Sequence, residues 1–299
     1  MKDTYRKQVQ LLLDVLPEVA KEACFAMHGG TAINLFYRDM PRLSVDIDLT
    51  YVPIVERAES LAGINQALQR VQRSIQVLRG SIQVQHRADV CKLQVTENDV
   101  LIKLEVNMVG RGLIAEPMKM PLCELAQETF DAFCSIRVVS KSQLYGGKLC
   151  AALDRQHPRD LFDVKLMLES EGFNDEIKRG LIYGLASSTR PMHEMLDPHL
   201  QDQRSAFENQ FIGMSNIPFS YVDYEHTRDE LIRIIRKSLT PEDKSFLLRF
   251  NRLEPDWTIY NFQGFPSVKW KLFNLESFQK KKPAEWQAHI DKLEVAFRL

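Results

Sequence analysis

A glycine pair and an Asp-x-Asp pair both lie in residues 29–48, and this combination constrains the chain most. In a β-strand, residues i and i+2 share a face, so Asp46 and Asp48 can both reach one metal ion. Gly29 and Gly30, at a predicted helix start, offer main-chain N–H groups and the positive end of a helix dipole to a phosphate. A phosphate-binding turn beside paired carboxylates indicates metal-assisted phosphoryl or nucleotidyl transfer.

Either half of this pattern is also compatible with an ordinary structural role. An Asp-x-Asp in a strand is often surface polarity on a half-buried sheet, and a glycine pair is often just a turn. The residues that alternate with the aspartates favour a strand whose other face lies on the core; they are Val45, Ile47 and Leu49.

Two further polar residues, Arg42 and Ser44, lie between the glycines and the aspartates. With them, the segment resembles the signature of the nucleotidyltransferase superfamily, and more narrowly the first motif of the AbiEii/AbiGii family. In that family, toxins of type IV toxin–antitoxin and abortive-infection systems, the motif is Gly-Gly/Ser, a helix and then Arg-x-Ser-x-Asp-x-Asp. Every position of the motif is present here. The resemblance implies that the aspartates bind metal and that the nucleotide phosphates are held by Gly29, Gly30, Arg42 and Ser44.

A third carboxylate on a neighbouring strand would complete a two-metal site, and Glu105 is the candidate. The predicted strand over residues 100–109 places three apolar side chains on one face, those of Ile102, Leu104 and Val106. Its other face then carries Lys103, Glu105 and Asn107. A solvent-facing edge of an antiparallel sheet would have the same pattern. With the first motif present, we favour a metal-binding or proton-accepting role for Glu105.

A second distinctive block, residues 141–163, begins with a predicted helix whose basic residues form a stripe. Lys141, Lys148 and Arg155 recur at heptad spacing, which places them on roughly one side of the helix. Gly146 and Gly147 would each cost about 1 kcal/mol relative to alanine there, which is easier to understand where a backbone or a ligand approaches closely. A solvent-exposed charged helix with ordinary ion pairs would have the same pattern.

Pro158 ends this helix, and Asp160 and Asp163 then lie one turn apart on the next one. The block resembles a second motif of the same family, a Lys-Leu-x-Ala-x-x-x-Arg helix followed by Arg-Asp-x-x-Asp. The matching positions are Lys148, Leu149, Ala151, Arg155, Arg159, Asp160 and Asp163. The resemblance implies that Lys148 and Asp160 are catalytic-site residues. The basic stripe followed by carboxylates could hold a triphosphate, with Lys148 balancing phosphate charge and Asp160 positioning that lysine or accepting a proton. Asp163 could instead cap and anchor its helix.

The resemblance covers roughly residues 20–280, because the tail at residues 253–257 and 265–275 is similar to the family's C-terminal helical region. It implies an α+β fold, in which an N-terminal, polymerase-beta-like nucleotidyltransferase sheet with helices precedes a mainly α-helical lobe. The lobes are predicted at residues 1–138 and 139–299, with the helical lobe completing the active site. Hydrophobic periodicity predicts helices over residues 4–23, 33–38 and 56–78, and strands over 24–27, 44–51, 81–87, 90–96, 100–109 and 136–139. Short polar connections at residues 88–89 and 97–99 predict hairpins between the strands over 81–87, 90–96 and 100–109.

The formal net charge is −1, so any site for a polyanion must be a local patch rather than a global basic field. Candidate basic surface is formed by Arg228, Arg233, Arg236, Lys237, Lys269, Lys271 and residues 280–282. Nearby aromatic side chains are expected to be core packing of a helical lobe, including Trp257, Phe262 and Trp270. Five cysteines without paired or zinc-like spacing, no signal-peptide pattern and no apolar run of membrane-spanning length predict a cytoplasmic protein.

The sequence therefore predicts a magnesium-dependent nucleotidyltransferase that acts as a toxin, with NTP as substrate. Asp46, Asp48 and Glu105 would bind two Mg²⁺ ions. By resemblance, the acceptor is the 3′ end of tRNA, so the reaction would block translation. Transfer to a protein or small-molecule hydroxyl, or a nucleotide-binding module without catalysis, stays open as an alternative. The resemblance also implies a cognate antitoxin that need not form a stable complex, since type IV antitoxins oppose the toxin's effect.

Overall fold

The computed structural model describes residues 3–298, so the outermost ends of the predicted lobes, residues 1, 2 and 299, lie outside it. The chain divides into two compact units. The sheet unit comprises residues 3–140 and 211–218, and the helical unit comprises residues 141–210 and 219–298. A short segment of the later chain therefore belongs to the sheet unit.

A mixed sheet is the core of the sheet unit. Within residues 3–298, its strands are β1 (Phe25–His28), β2 (Asp46–Tyr51), β3 (Ile82–Arg87), β4 (Lys92–Glu97), β5 (Val100–Asn107), β6 (Met118–Pro121) and β7 (Ser135–Val138). Their spatial order is β3-β4-β5-β2-β1-β7-β6. The pairs β2–β5 and β1–β7 are parallel, and the other neighbours are antiparallel. β2 is therefore an inner strand, with β1 on one side and β5 on the other.

Helices α1 (Asp3–Ala20) and α3 (Arg57–Gln76) pack against each other and against strands of the sheet. Apolar residues recur at helical spacing in both, which buries one face of each helix. Pro17 lies inside α1, which continues to its end at Ala20. The glycine pair begins α2 (Gly29–Ala32), which follows β1 directly and continues into a π-helix over Ile33–Tyr37.

The predicted fold class is confirmed, because the chain is α+β with a mixed sheet and a mainly helical later part. The predicted hairpins are the antiparallel pairs β3–β4 and β4–β5, and the predicted last strand is β7. In β2, Ile47 and Leu49 are fully buried, whereas Val45 precedes the strand and is half-buried. The sequence pattern does not predict β6 or helix α4 (Glu124–Phe130); most of β6 is exposed and shows no apolar alternation.

The helical unit contains, within the described residues, α5 (Lys141–Arg155), α6 (Pro158–Ser170), α7 (Asp175–Ser187), α8 (Met192–Leu196), α9 (Arg204–Gln210), α10 (Tyr221–Ser238), α11 (Pro241–Asn251), α12 (Pro266–Lys281) and α13 (Pro283–Ala296). Proline occupies the first turn of α6, α11, α12 and α13, where its missing N–H costs nothing. Capping boxes begin α10, with Ser220 and Asp223, and α11, with Thr240 and Asp243. No helix in this description is long and apolar enough to cross a membrane.

Helices α5 and α7 approach each other closely because both carry glycine at their contact. A Cβ atom on Gly146 would overlap the main chain of Gly180, and one on Gly180 would overlap the carbonyl of Ser142. Gly147 has no neighbouring atom within 4 Å of the position that a Cβ would take. Of the two glycines, only Gly146 is therefore closely approached by another backbone, as the sequence predicts.

Candidate active site

The carboxylates of β2, which we call the strand carboxylates, lie on one face of an inner strand. Asp46 and Asp48 alternate with fully buried residues and are themselves half-buried. In the parallel register with β5, Asp46 is opposite Lys103 and Asp48 is opposite Glu105. In the antiparallel register with β1, Asp48 is opposite His28. The sheet therefore brings Glu105 beside the aspartate pair, as a shared site requires.

The glycine pair packs directly on this motif. Gly29 has φ +79°, a left-handed conformation that favours glycine, and a Cβ there would collide with the Asp48 carboxylate. A Cβ on Gly30 would lie 2.8 Å from the Arg42 guanidinium and 3.0 Å from Ser44 Oγ. The packing and the positive φ thus favour glycine at position 29. Together the two glycines place bare main chain beside a carboxylate, a guanidinium and a hydroxyl.

Thr31 lies beside this motif, and the sequence pattern does not indicate it. Its hydroxyl donates to the main-chain carbonyl of Asp46 and lies 3.0 Å from Ser44 Oγ. The residue is fully buried, so these contacts tie the glycine turn to the strand. The family motif specifies no residue at this position, so the only sequence signal for Thr31 is that it directly follows the two glycines.

Arg42 is held in place by chain from residues 211–218. It pairs with Ser215 in an isolated antiparallel bridge, and the N–H of Leu43 donates to the Met214 carbonyl at 2.8 Å. Arg42 is 2% exposed, and its guanidinium donates to the Leu43 carbonyl at 2.9 Å. The sequence pattern gives no sign of this contact, because the two segments are far apart along the chain.

Glu105 forms an ion pair with Lys92, its partner in the β4–β5 register. The Glu105 side chain is 46% exposed, so the pair is screened by solvent and contributes little. Among residues 3–298, no three His, Cys, Asp or Glu side chains converge on one position suited to a metal ion. The strand carboxylates do provide two hard oxygen donors, the type that Mg²⁺ prefers. Glu105 as a third ligand stays a prediction.

In the helical unit, Lys148, Arg155, Asp160 and Asp163 form a second group of charges, which we call the lysine cluster. Lys148 Nζ donates to Asp160 Oδ1 at 2.7 Å and lies 3.0 Å from Asp163 Oδ2. Arg155 Nε donates to Asp160 Oδ2 at 2.7 Å. Three of the side chains are buried, whereas that of Arg155 is 61% exposed. The cluster is a buried ion network with one exposed edge.

The break at Pro158 builds this cluster, because α6 folds back so that its first turns face α5. His157 caps α6, and its Nδ1 accepts a main-chain hydrogen bond from the first turn at 3.1 Å. Asp160 and Asp163 then lie one helical turn apart, and both reach Lys148. The spacing of the two aspartates therefore lets one ammonium bond to both.

Asp160 is held in its charged form. Burial alone would raise the pKa of its carboxyl, but the Lys148 ammonium and the Arg155 guanidinium lower that pKa well below its usual range. A carboxylate with so low a pKa is a weak proton acceptor near neutral pH. The geometry therefore suits holding Lys148 in place better than accepting a proton.

Several predictions for the C-terminal helices are wrong. Trp270 is not core packing, since it is 49% exposed and stacks on Phe273 with ring centroids 5.7 Å apart. Lys271 and Arg228 do not form basic surface, since they are 6% and 7% exposed. Phe262 is fully buried, as predicted. The pattern misleads on α12 because apolar and charged residues are distributed around that helix without one clear apolar face.

The fold is shared with a known bacterial toxin. The nucleotidyltransferase toxin MenT4 of Mycobacterium tuberculosis H37Rv matches this chain with a TM-score of 0.63 at 14% sequence identity. The match covers 92% of this chain and 95% of MenT4. At this identity the likeness shows the fold alone, so the chain has the architecture of a nucleotidyltransferase toxin.

The family follows from the sequence. Residues 10–298 match the family described as "Nucleotidyl transferase AbiEii toxin, Type IV TA system". The chain therefore belongs to the AbiEii family, which confirms the resemblance drawn from the two motifs and the enzyme class, a nucleotidyltransferase. No curated protein matches the sequence significantly. Membership of a type IV toxin–antitoxin family implies a nucleotide substrate and a cognate antitoxin.

Proposed function

We propose that this protein is a magnesium-dependent toxin that transfers NMP from an NTP to the 3′ end of tRNA and so blocks translation. The observation that carries the proposal is the packing of Gly29 and Gly30 against Asp48, Arg42 and Ser44. This packing brings the main chain of the two glycines close to the buried Arg42 guanidinium and the Asp48 carboxylate. The combination suits a nucleoside triphosphate together with its divalent ions.

The strand carboxylates would hold the divalent ions. Asp46 and Asp48 offer oxygen donors from one strand face, and Glu105 lies beside Asp48 in the sheet. Glu105 would join them by giving up its exposed pair with Lys92. Bound Mg²⁺, two ions in this proposal, would neutralise the triphosphate and activate the acceptor hydroxyl. The protein's own contribution is to fix the carboxylates on a rigid inner strand.

Phosphate binding is proposed for the groups around the glycine pair. Arg42 would balance the charge of the β- and γ-phosphates, and Ser44 would donate its hydroxyl. Gly29 and Gly30 would donate main-chain N–H groups, and their missing Cβ atoms would let a phosphate approach. Thr31 would act as a positioning residue, because it bonds to the β2 main chain and neighbours Ser44.

Lys148 would also balance phosphate charge, and Asp160 would position it. The family motif supports a catalytic-site role for Lys148 and Asp160, and the bond to Lys148 and the lowered pKa of Asp160 support positioning over proton acceptance. An ammonium has three donors, and contacts to Asp160 and Asp163 fix its orientation within the helical unit. Asp163 would share this positioning role.

Transfer of label to RNA tests the proposal. The purified protein is incubated with total tRNA, Mg²⁺ and each α-labelled NTP in turn. We expect label in tRNA with at least one nucleotide, which also identifies the preferred NTP. Periodate oxidation of the tRNA destroys its 3′-terminal diol, so it should abolish labelling. Translation in vitro should stop when its tRNA has been incubated with the protein and NTP, and it should recover when unmodified tRNA is added.

Two aspartate variants provide the comparison for this assay. Asp46→Ala should abolish labelling, whereas Asp99→Ala, in the exposed turn between β4 and β5, should not change it. Thermal unfolding of both variants checks that each is folded. Label in protein or in a small molecule would contradict the tRNA acceptor while leaving the enzyme class in place. Labelling by Asp46→Ala at the unmodified protein's rate would contradict the proposed metal site.

The proposal extends to the setting of the reaction. Because tRNA and NTP are cytoplasmic, the protein would act in the cytoplasm, within a toxin–antitoxin or abortive-infection system. Its antitoxin would oppose the effect of the toxin without forming a stable complex. Size-exclusion chromatography of the two purified proteins tests this last point, and co-elution would contradict it.

A further inference from the structure

The helical unit contains a cavity of about 260 Å³ that shares no lining residue with the lysine cluster. It lies between α12, the chain that joins α7 to α8, and parts of α8, α11 and α13. Its charged and aromatic lining residues are Arg190, His193, Trp270, Lys271, Phe278 and His289. None of the described residues that line it is acidic. We call it the Lys271 cavity.

Lys271 is a buried lysine whose hydrogen bonds go to neutral groups. It is 6% exposed, and its Nζ donates to the main-chain carbonyls of Leu185 at 2.8 Å and Arg190 at 2.9 Å. Burial lowers the pKa of Lys271 to about 7, and the nearby Cys150 thiol opposes that shift. The other cation of the cavity, Arg190, is already paired with Asp154 at 2.8 Å. A lysine ammonium can donate three hydrogen bonds, and Lys271 donates two within the protein. An acceptor in the cavity would take the third.

Lys148 shows how the same unit treats another buried ammonium. Two buried carboxylates bond to it, as expected, because burying a cation without a counter-ion is costly. Within residues 3–298, no carboxylate lies within ion-pair distance of Lys271 Nζ. An anionic ligand would supply a counter-charge and so stabilise the charged form of Lys271, which burial disfavours.

The aromatic lining residues, which we call the aromatic wall, are His193, Trp270, Phe278 and His289. They indicate that such an anion also carries a planar ring. The rings of His193 and His289 have centroids 4.7 Å apart, and those of Phe278 and His289 are 5.0 Å apart. Burial lowers the pKa of His193 to about 4 and also lowers that of His289, so both rings are neutral near pH 7. Neutral rings and the half-exposed Trp270 offer flat faces on which a planar ring can pack.

We propose that the Lys271 cavity binds a small planar aromatic anion, whose phosphate or carboxylate accepts a hydrogen bond from Lys271 Nζ while its ring packs on the aromatic wall. The cavity is just below the range of about 300–1,000 Å³ common for drug-sized ligands, so it suits one ring system with one anionic group. A nucleoside monophosphate and an aromatic carboxylate share this chemistry. The site stands independently of the transfer reaction proposed above.

NMR of the histidine rings in the full chain tests this site. His193 and His289 report on the cavity, and His28, opposite Asp48 in the sheet, reports separately on the strand carboxylates. The probes are the four common nucleoside monophosphates and benzoate, with adenosine and inorganic phosphate as partial ligands. We expect at least one probe to shift the His193 and His289 signals, which His193→Gln and His289→Gln variants assign. The partial ligands should bind at least about tenfold more weakly.

Lysine variants on α12 connect the signal to the proposed contact. Lys271→Met should weaken binding at least about tenfold. Lys271→Gln removes the charge but keeps an N–H donor for the two carbonyls, so it gives the same test if the methionine variant does not fold. Lys269→Met is the matched control, since Lys269 is exposed on the same helix and does not line the cavity. Its affinity should be unchanged.

The outcomes separate the two sources of the ligand. Binding of a nucleotide but not of benzoate assigns a phosphate ligand, and the reverse assigns a carboxylate; either result supports the proposal. Four results would overturn it. These are adenosine binding as tightly as AMP, unchanged affinity in both Lys271 variants, shifts confined to His28, or no shift with any probe.

Discussion

Two carboxylates, those of Asp46 and Asp48, share a half-buried face of strand β2. In the helical unit, by contrast, the buried ammonium of Lys148 lies between the carboxylates of Asp160 and Asp163. The first arrangement gathers two oxygen donors of the type that divalent cations prefer on one strand face. The second is already balanced by the protein's own groups. The strand carboxylates therefore suit the proposed divalent-ion role, whereas the ion pairs of the lysine cluster connect α5 and α6.

The energetic consequences of mutation should differ in the same way. A buried ion pair adds little net stability over well-packed apolar residues, but removing one partner leaves the other charge buried and unpaired. Asp46 and Asp48 are only half-buried, so replacing either by its amide should cost little stability. We therefore expect variants of the lysine cluster to lose stability, and variants of the strand carboxylates to lose activity without losing stability.

The largest effect on stability is expected for Lys148→Met. The variant leaves Asp160 and Asp163 buried without their ammonium, which should lower the free energy of unfolding by about 3–5 kcal/mol. Urea unfolding followed by circular dichroism measures the loss. A loss below about 1 kcal/mol would mean that the aspartates find other partners or water, and the contrast with the strand carboxylates would disappear.

Arg155→Met is the control for this variant, because it removes the cluster's other cation from an exposed position. The Arg155 side chain is 61% exposed, and Asp160 keeps its bond to Lys148. The expected loss is therefore at most about 1 kcal/mol. Equal losses in the two variants would show that burial does not decide the strength of this network.

The two glycines of α5 should respond to alanine with opposite signs. Gly146→Ala places a Cβ against the Gly180 main chain, so α5 and α7 must move apart, at a cost of about 1–3 kcal/mol. Gly147→Ala meets no neighbouring atom within 4 Å and should stabilise the helix by up to about 1 kcal/mol. Urea unfolding of both variants checks the difference. A loss of stability in Gly147→Ala would indicate a constraint other than helix propensity.

Acid should weaken the lysine cluster in a pH range set by Asp160. Burial raises the pKa of this carboxyl, but Lys148 and Arg155 hold it well below the 3.8 of an unperturbed aspartate. As pH falls through about 3.8, the unfolded chain takes up a proton that the folded chain does not, so stability present above this pH is lost. The slope approaches about 1.4 kcal/mol per pH unit. Urea unfolding at several pH values should give Asp160→Asn a shallower acid slope, and equal slopes would contradict a lowered pKa.

The parts of the fold and site that the sequence predicts are the local ones. Alternation in β2 identifies Asp46 and Asp48, since a strand's period of two residues decides which side chains share a face. Short polar turns identify the β3–β4 and β4–β5 hairpins. The helix break at Pro158 places Asp160 and Asp163 on the helix after Lys148. In each case, the geometry depends on neighbours within a few residues.

The parts that the sequence does not predict depend on contacts between distant segments. Residues 211–218 return to the sheet unit and bond next to Arg42, which no local pattern encodes. Burial of Lys148 and Lys271 depends on which helices surround them, and α12 has no single apolar face to indicate it. Thr31 is buried because the glycine turn packs on β2, a consequence of tertiary structure rather than of motif spacing.

The smallest effect on stability is expected for Asp46→Asn, although the same variant should lose the most activity. Asparagine keeps the shape of this half-buried side chain and the main-chain carbonyl that accepts from Thr31. The free energy of unfolding should therefore change by no more than about 0.5 kcal/mol. Replacing a residue that only orients a metal ligand lowers metal affinity or activity about 10–100-fold. Replacing a proposed direct ligand, such as Asp46, should therefore lower the transfer rate at least about 100-fold. Urea unfolding and the tRNA labelling assay on one preparation measure both quantities. A variant that loses stability and activity together would mean that Asp46 supports the sheet, as Lys148 supports its helices, and the two regions would no longer differ in kind.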